Sequence, residues 1–188
     1  GTVLLPTLAK HHSDANPAEY SSLLDWGLRL ALLLALPAAV ALWLLALPMV
    51  STLYQYGKFS INDALQTRAA LLGYGIGLPG IILIKILAPG FYARQMMKTP
   101  VKVAFATVLV TQAFALTLMW QIGHAGLTLA TSIGATFNAA MLCVLLVRRK
   151  LYVPQPGWGQ FIARLVVALG VLAAMLAWLA GPADLCLH

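Results

Sequence analysis

The sequence predicts an all-α, polytopic integral membrane protein with about five transmembrane helices. Three observations predict it. The 188 residues are 61% hydrophobic and only 9% charged, against roughly 25% charge in soluble domains, and the mean hydropathy is +0.87. Five apolar runs follow one another, each near the roughly 20 residues that a helix needs to cross a hydrocarbon core. The charges gather in the gaps between those runs.

Taken in order, residues 1–22 open on GTVLLP, too short to span, and turn polar with Lys10, His11, His12, Asp14 and Glu19. The chain starts at Gly1 with no charged segment and cleavage site ahead of its first apolar run, so no signal peptide is expected and the chain reads as a piece of something longer. The spans are expected over residues 30–54, 69–88, 103–122, 125–147 and 165–181. Val153-Pro154-Gln155-Pro156-Gly157 breaks helical geometry before the fifth. Trp26, Tyr54, Trp120, Tyr152 and Trp158 fall at run ends, where interfacial aromatics belong.

The formal charge of +7 does not point to nucleic acid, because the positive-inside rule accounts for where the charges sit. Lys10, Arg29, Arg94, Lys98, Lys102, Arg148, Arg149, Lys150 and Arg164 fall on one side, nine against Lys58 and Arg68 on the other. That places the N-terminal end and the loops over 89–102 and 148–164 in the cytoplasm, and the C-terminal tail outside. Cys143 and Cys186 have no metal or disulfide spacing. His11 and His12 lack a third ligand. All five acids lie in loops or at run ends, with no paired acid inside a span, no phosphate-binding glycine loop and no nucleophile–base arrangement. An enzyme, a metal site and a cofactor are not expected.

Several residues are candidates for function. Pro79 in the second span removes a backbone hydrogen bond and is surrounded by Gly73, Gly75, Gly77 and Gly80. It is either a packed kink or a hinge lining a cavity. Gly73 and Gly77 form a GxxxG pair that lets another helix approach closely. In the fourth span Gly126, Ala130, Gly134 and Asn138 recur every four residues and form one small, partly polar stripe, for tight packing or for the wall of a polar cavity. Lys85 lies inside a span, where a lysine must snorkel to the surface or face water. It contacts anionic lipid or belongs to a substrate pathway. Asp25 and Arg29 are spaced for a local ion pair. Arg94, Lys98 and Lys102 form a basic cluster able to hold phosphate, on a lipid or on a ligand.

The runs LDWGLRLALLLALPAAVAL (24–42), YQYGKFSINDALQT (54–67), LAPGFYARQMMKTPVK (87–102), HAGLTLATS (124–132) and PQPGW (154–158) closely resemble the lipid II flippase family, also called the MurJ or MviN family of the MOP exporter superfamily. The resemblance covers nearly the whole chain. It implies a MATE-like fold of two six-helix lobes plus two added helices that form a lipid-facing groove. It also implies transport of undecaprenyl-linked peptidoglycan precursor across the bacterial inner membrane by alternating access. On that plan residues 1–22 are the end of a preceding helix and a cytoplasmic loop, 23–152 are four helices of the C-lobe, and 153–188 are the first added helix and an outward-facing tail. The implied partners are lipid II, membrane lipids and the missing N-lobe. The implied head-group candidates here are Lys85, Arg94, Lys98, Lys102 and Arg29. Positions that carry cation ligands in some relatives correspond to Thr111, Ala115 and Thr131, and Ala115 offers no ligand atom, so no metal is expected. Two other classes stay open: an exporter of another lipid-linked oligosaccharide, and a truncated membrane scaffold that does not transport.

Overall fold

The computed structural model describes residues 17–54 and 61–180. The described residues form five helices: α1 Pro17–Tyr54, α2 Ile61–Ala93, α3 Lys98–Ile122, α4 His124–Arg148 and α5 Trp158–Ala180. Each is long and apolar enough to cross a membrane, and no strand occurs among the described residues. The protein is therefore all-α and polytopic, as its hydropathy implies. His11, His12, Lys58 and Cys186 lie outside the described residues.

The helices run further than the apolar segments. α1 starts at Pro17, well before residue 30, because Asp25 and Arg29 pair one turn apart and no longer interrupt it. Proline suits a first helical turn, where its missing N–H costs nothing. α2 continues through both Pro79 and Pro89, so the loop expected over 89–102 contracts to residues 94–97. A proline removes one backbone bond, whereas opening the helix in hydrocarbon would leave several groups unpaired.

The terminations at one end share a geometry. After α2 the Met96 N–H bonds Phe91 O and the Gln95 N–H bonds Tyr92 O; after α4 the Leu151 N–H bonds Leu146 O and the Lys150 N–H bonds Val147 O. These are Schellman pairs, with Gln95 (φ 56) and Lys150 (φ 54) in the left-handed position that glycine usually takes. At the opposite end one residue, Gly123 (φ 66), connects α3 to α4, a backbone conformation side chains avoid.

The helices lie in a row, α5–α1–α2–α4–α3, with the most extensive contact between α2 and α4. That seam depends on glycine. A Cβ on Gly77 would lie 2.6 Å from Ser132 Cα, and one on Gly80 would lie 3.0 Å from the Ala135 carbonyl carbon. The close approach lets the Ser132 hydroxyl donate to Gly73 O at 2.6 Å, a polar tie between spans. The small stripe of α4 turns the other way, with Gly126 under Leu118 and Gly134 under Thr111 of α3. Trp43 of α1 donates its indole N–H to Leu72 O of α2 at 3.0 Å. The buried core collects Tyr20, Leu24, Leu87, Phe91, Leu142 and Leu146. It sits where α1 begins and where α2 and α4 end. Away from it α3 and α5 expose large apolar side chains, Phe105 at 67% and Trp178 at 84%, as lipid-facing helices do.

Candidate functional site

α1, α3 and α5 begin, and α2 and α4 end, at the same end of the row. It carries Arg29, Arg94, Lys98, Lys102, Arg148, Arg149, Lys150 and Arg164, whereas Arg68 belongs to the other. The charge asymmetry read along the chain is thus an asymmetry of the folded molecule. The structure sorts these cations into different surroundings.

Arg29 is taken up in a polar latch between α1 and the segment leading to α5. Buried Asp25 accepts three hydrogen bonds on Oδ1: from the Tyr152 hydroxyl at 2.5 Å, the Trp158 indole N–H at 2.7 Å and the Gln155 backbone N–H at 3.3 Å. Arg29 Nε lies 2.8 Å from Asp25 Oδ2 as an ion pair that lacks the alignment of a hydrogen bond. The guanidinium also donates to Pro156 O at 3.2 Å and packs 5.4 Å from the Trp158 ring and 5.8 Å from Phe161. One turn earlier Ser21 holds Val153 through both its N–H and its carbonyl. Burial, and after it the hydrogen bond to Asp25, pushes the Tyr152 hydroxyl pKa well above its ordinary value. Tyr152 and Trp158 are therefore not simple interfacial aromatics: Tyr152 is 4% exposed and Trp158 packs against the core.

Arg94 is separated from the lysines it neighbours in sequence. Its guanidinium lies 4.4 Å from the centre of the Tyr20 ring, within reach of a cation–π attraction, and the Tyr20 hydroxyl donates to Gly90 O. Lys98 and Lys102 instead join Arg149, the residue that caps α4, around a cavity of about 710 Å³.

Lys85 is exposed on α2, eight residues and so about 12 Å from the helix end. Tyr74 and Tyr92 share its face, at i−11 and i+7, and both are exposed. That face points away from the glycine seam with α4. On the opposite side a cavity of about 500 Å³ opens between α1, α2, α4 and the latch segment, lined by Leu28, Leu83, Cys143 and Trp158 among others. A second, of about 380 Å³, reaches Trp43 and Ala173 of α5. Pro79 and Ile76 line both, so the two form one apolar trough. The Asn138 side-chain oxygen is buried without a hydrogen-bond partner. Thr111 is packed on Gly134, Ala115 is buried and the Thr131 hydroxyl bonds Thr128 O.

The family model described as Lipid II flippase MurJ matches residues 1–183. This chain belongs to the lipid II flippase MurJ family. It is 52% identical over 180 residues to the lipid II flippase MurJ of Burkholderia cenocepacia, covering 96% of this chain and 35% of that protein. It is 37% identical over 177 residues to the probable lipid II flippase MurJ of Vibrio cholerae, covering 94% and 34%. The corresponding Haemophilus influenzae protein is 39% identical over 157 residues, covering 80% and 31%. The chain thus spans about a third of the length of these MurJ proteins.

Of the candidate residues, Lys98 and Lys102 come together, Arg29 and Arg94 are each held elsewhere, and Lys85 stands apart. Gly73, Gly77, Gly126 and Gly134 are all at helix contacts. Arg149, which in the sequence is one more topological charge, completes the pocket. Its spacing from Lys98 carries no signal of this, because one starts α3 and the other caps α4.

Proposed function

We propose that this chain forms part of the C-terminal lobe of a lipid II flippase. The whole protein moves undecaprenyl-linked peptidoglycan precursor across the bacterial inner membrane by alternating access, and it does so as a transporter without catalysis. The observation that carries this is the 52% identity, over nearly the whole chain, to a protein named lipid II flippase MurJ. Residues 23–152 are the lobe and 153–188 the start of the added helices. The basic end is cytoplasmic, following the positive-inside rule.

The physical arrangement suits that work. The row of helices is tied by the α2–α4 glycine seam and by the polar bonds from Ser132 and Trp43, so it moves as one body when the lobes rock. The trough between α1, α2, α4 and α5 takes a prenyl chain, since its walls are apolar. Lys85 serves the pyrophosphate: it is exposed inside a span, where an unpaired cation is costly unless it meets water or an anion.

Cells depleted of their own flippase test this. The full-length protein that carries this chain restores growth, and this 188-residue chain alone does not. Growth restored by this chain alone would overturn the assignment of the work to two lobes, and failure of the full-length protein would overturn the flippase reading. In the full-length protein Lys85→Ala lowers flipping with the folded protein retained; unchanged flipping removes Lys85 from the pathway.

A further inference from the structure

We propose that the pocket between the basic ends of α3 and α4 is a binding site for an anionic phospholipid, held through its phosphate. Two adjoining terminations build the pocket. The Schellman turn after α2 sets Gln95 in the left-handed conformation and delivers the chain directly to Lys98, the first residue of α3. Lys98 and Lys102 then lie one turn apart on one side of α3. The equivalent turn after α4 places Arg149 as that helix's cap. All three cations line the same cavity of about 710 Å³.

Charge and shape together select the ligand. Among the described residues, none of the three side chains has a hydrogen-bond or ion-pair partner and no acidic residue lines the cavity. Three like charges around one space raise the potential there and attract an anion, and the planar guanidinium of Arg149 matches phosphate oxygens in pairs. Toward the middle of the membrane the wall becomes apolar through Val103, Ala106, Met141 and Leu145. A small soluble phosphate would leave that wall wet, and a hydrocarbon chain would leave the cations unpaired. A phospholipid satisfies both, with its phosphate at the level of the helix ends and its glycerol and first methylenes against the wall. The pocket shares no lining residue with the apolar trough. On α4 and its cap it uses Met141, Leu145 and Arg149, whereas the trough uses Cys143 and Val147, on a different side of the helix. The lipid bound here is accordingly a resident of the leaflet and not the lipid in transit.

Native mass spectrometry of the full-length protein, titrated with phosphatidylglycerol or phosphatidylcholine, tests this without any transport step. The wild type binds phosphatidylglycerol in preference to phosphatidylcholine. The triple variant Lys98→Gln, Lys102→Gln, Arg149→Gln loses that affinity by roughly a hundredfold, at about fivefold per cation. The control pair Arg148→Gln, Arg164→Gln, outside the pocket, keeps it. Where the triple variant does not fold, Arg149→Gln alone shows the fivefold loss and Arg149→Lys recovers part of it. Equal binding of the two lipids by the wild type, or undiminished phosphatidylglycerol binding by the folded triple variant, overturns the proposal. Undecaprenyl pyrophosphate leaves phosphatidylglycerol bound; one-for-one displacement from the wild type would assign the pocket to the transported lipid and also overturn it.

Discussion

Two groups of cations share one end of this molecule and have opposite surroundings. Around Arg29 a single buried carboxylate, Asp25, organises a phenol, an indole and a backbone N–H, and the guanidinium is closed in by Pro156 O and two rings. Around Lys98, Lys102 and Arg149 no carboxylate lies among the described residues, and the cavity they line has an apolar floor. The difference teaches that an interfacial cation is structural where a fixed anion and ring faces reach it, and open to a ligand where they do not. A buried carboxylate with one acceptor oxygen shared among three donors is a fastening. Three cations without one are a receptor.

That contrast can be broken at several points. The largest effect is expected from Asp25→Ala, which leaves the Arg29 charge and two side-chain donors unpaired at once. A loss of about 2–5 kcal/mol is expected, chiefly from the Tyr152 and Trp158 donors left without an acceptor, read as a lower thermal transition of the detergent-solubilised full-length protein and faster proteolysis around residues 153–157. An unchanged transition would show that the latch is ornamental and the contrast empty.

Tyr152→Phe is next, at about 1.5–3 kcal/mol for a hydrogen bond to a charged group. It also has a pH signature. The Tyr152 pKa is raised in the folded protein, first by burial and then by Asp25, so the folded state keeps its proton where the unfolded chain loses it. Its contribution is complete below the ordinary tyrosine value of about 10 and is lost as pH rises toward the higher folded value. Stability should therefore fall more steeply in the wild type than in Tyr152→Phe as pH rises above about 10. Parallel curves would mean that the phenol is not held as described.

Arg29→Gln sharpens the comparison further. The ion pair is partly screened at 28% side-chain exposure, so the loss is expected to be about 1 kcal/mol, from the pair and the ring contacts together. The smallest effect belongs to the pocket. Lys98→Gln and Arg149→Gln should each change stability by less than about 0.5 kcal/mol in neutral detergent. A larger loss would make these cations structural like Arg29 and erase the difference between the two groups.

Part of this architecture is legible in the residues alone. The five spans follow from run length, and the basic end from the nine-to-two distribution of charge. The Asp25–Arg29 pair is readable because its partners are one helical turn apart. The GxxxG pair at Gly73 and Gly77 indicates a close contact without saying with what; Ser132 and Thr128 on α4 supply the answer. The stripe from Gly126 to Asn138 allows a packing face or a cavity wall, and Gly126 and Gly134 are packed on α3. The helix ends depart from the apolar runs wherever hydropathy falls before helicity does, as at residues 17–29, 61–68, 89–93, 98–102 and 158–164. The hydrogen-bond requirement of the backbone continues the helix past the last strongly apolar residue.

The sequence by itself determined that the chain holds five membrane-length apolar helices and that its basic residues gather at one end of them. Those properties depend on the transfer of each segment between water and hydrocarbon, which neighbours in the chain control. Tertiary structure alone decided which cations are bound and which are open. Tyr152 and Asp25 are 127 residues apart, and Arg149 meets Lys98 only because the α3–α4 turn at Gly123 folds one helix back along the other. Local patterns carry no record of such meetings; they are set by how closely glycine-faced helices can approach.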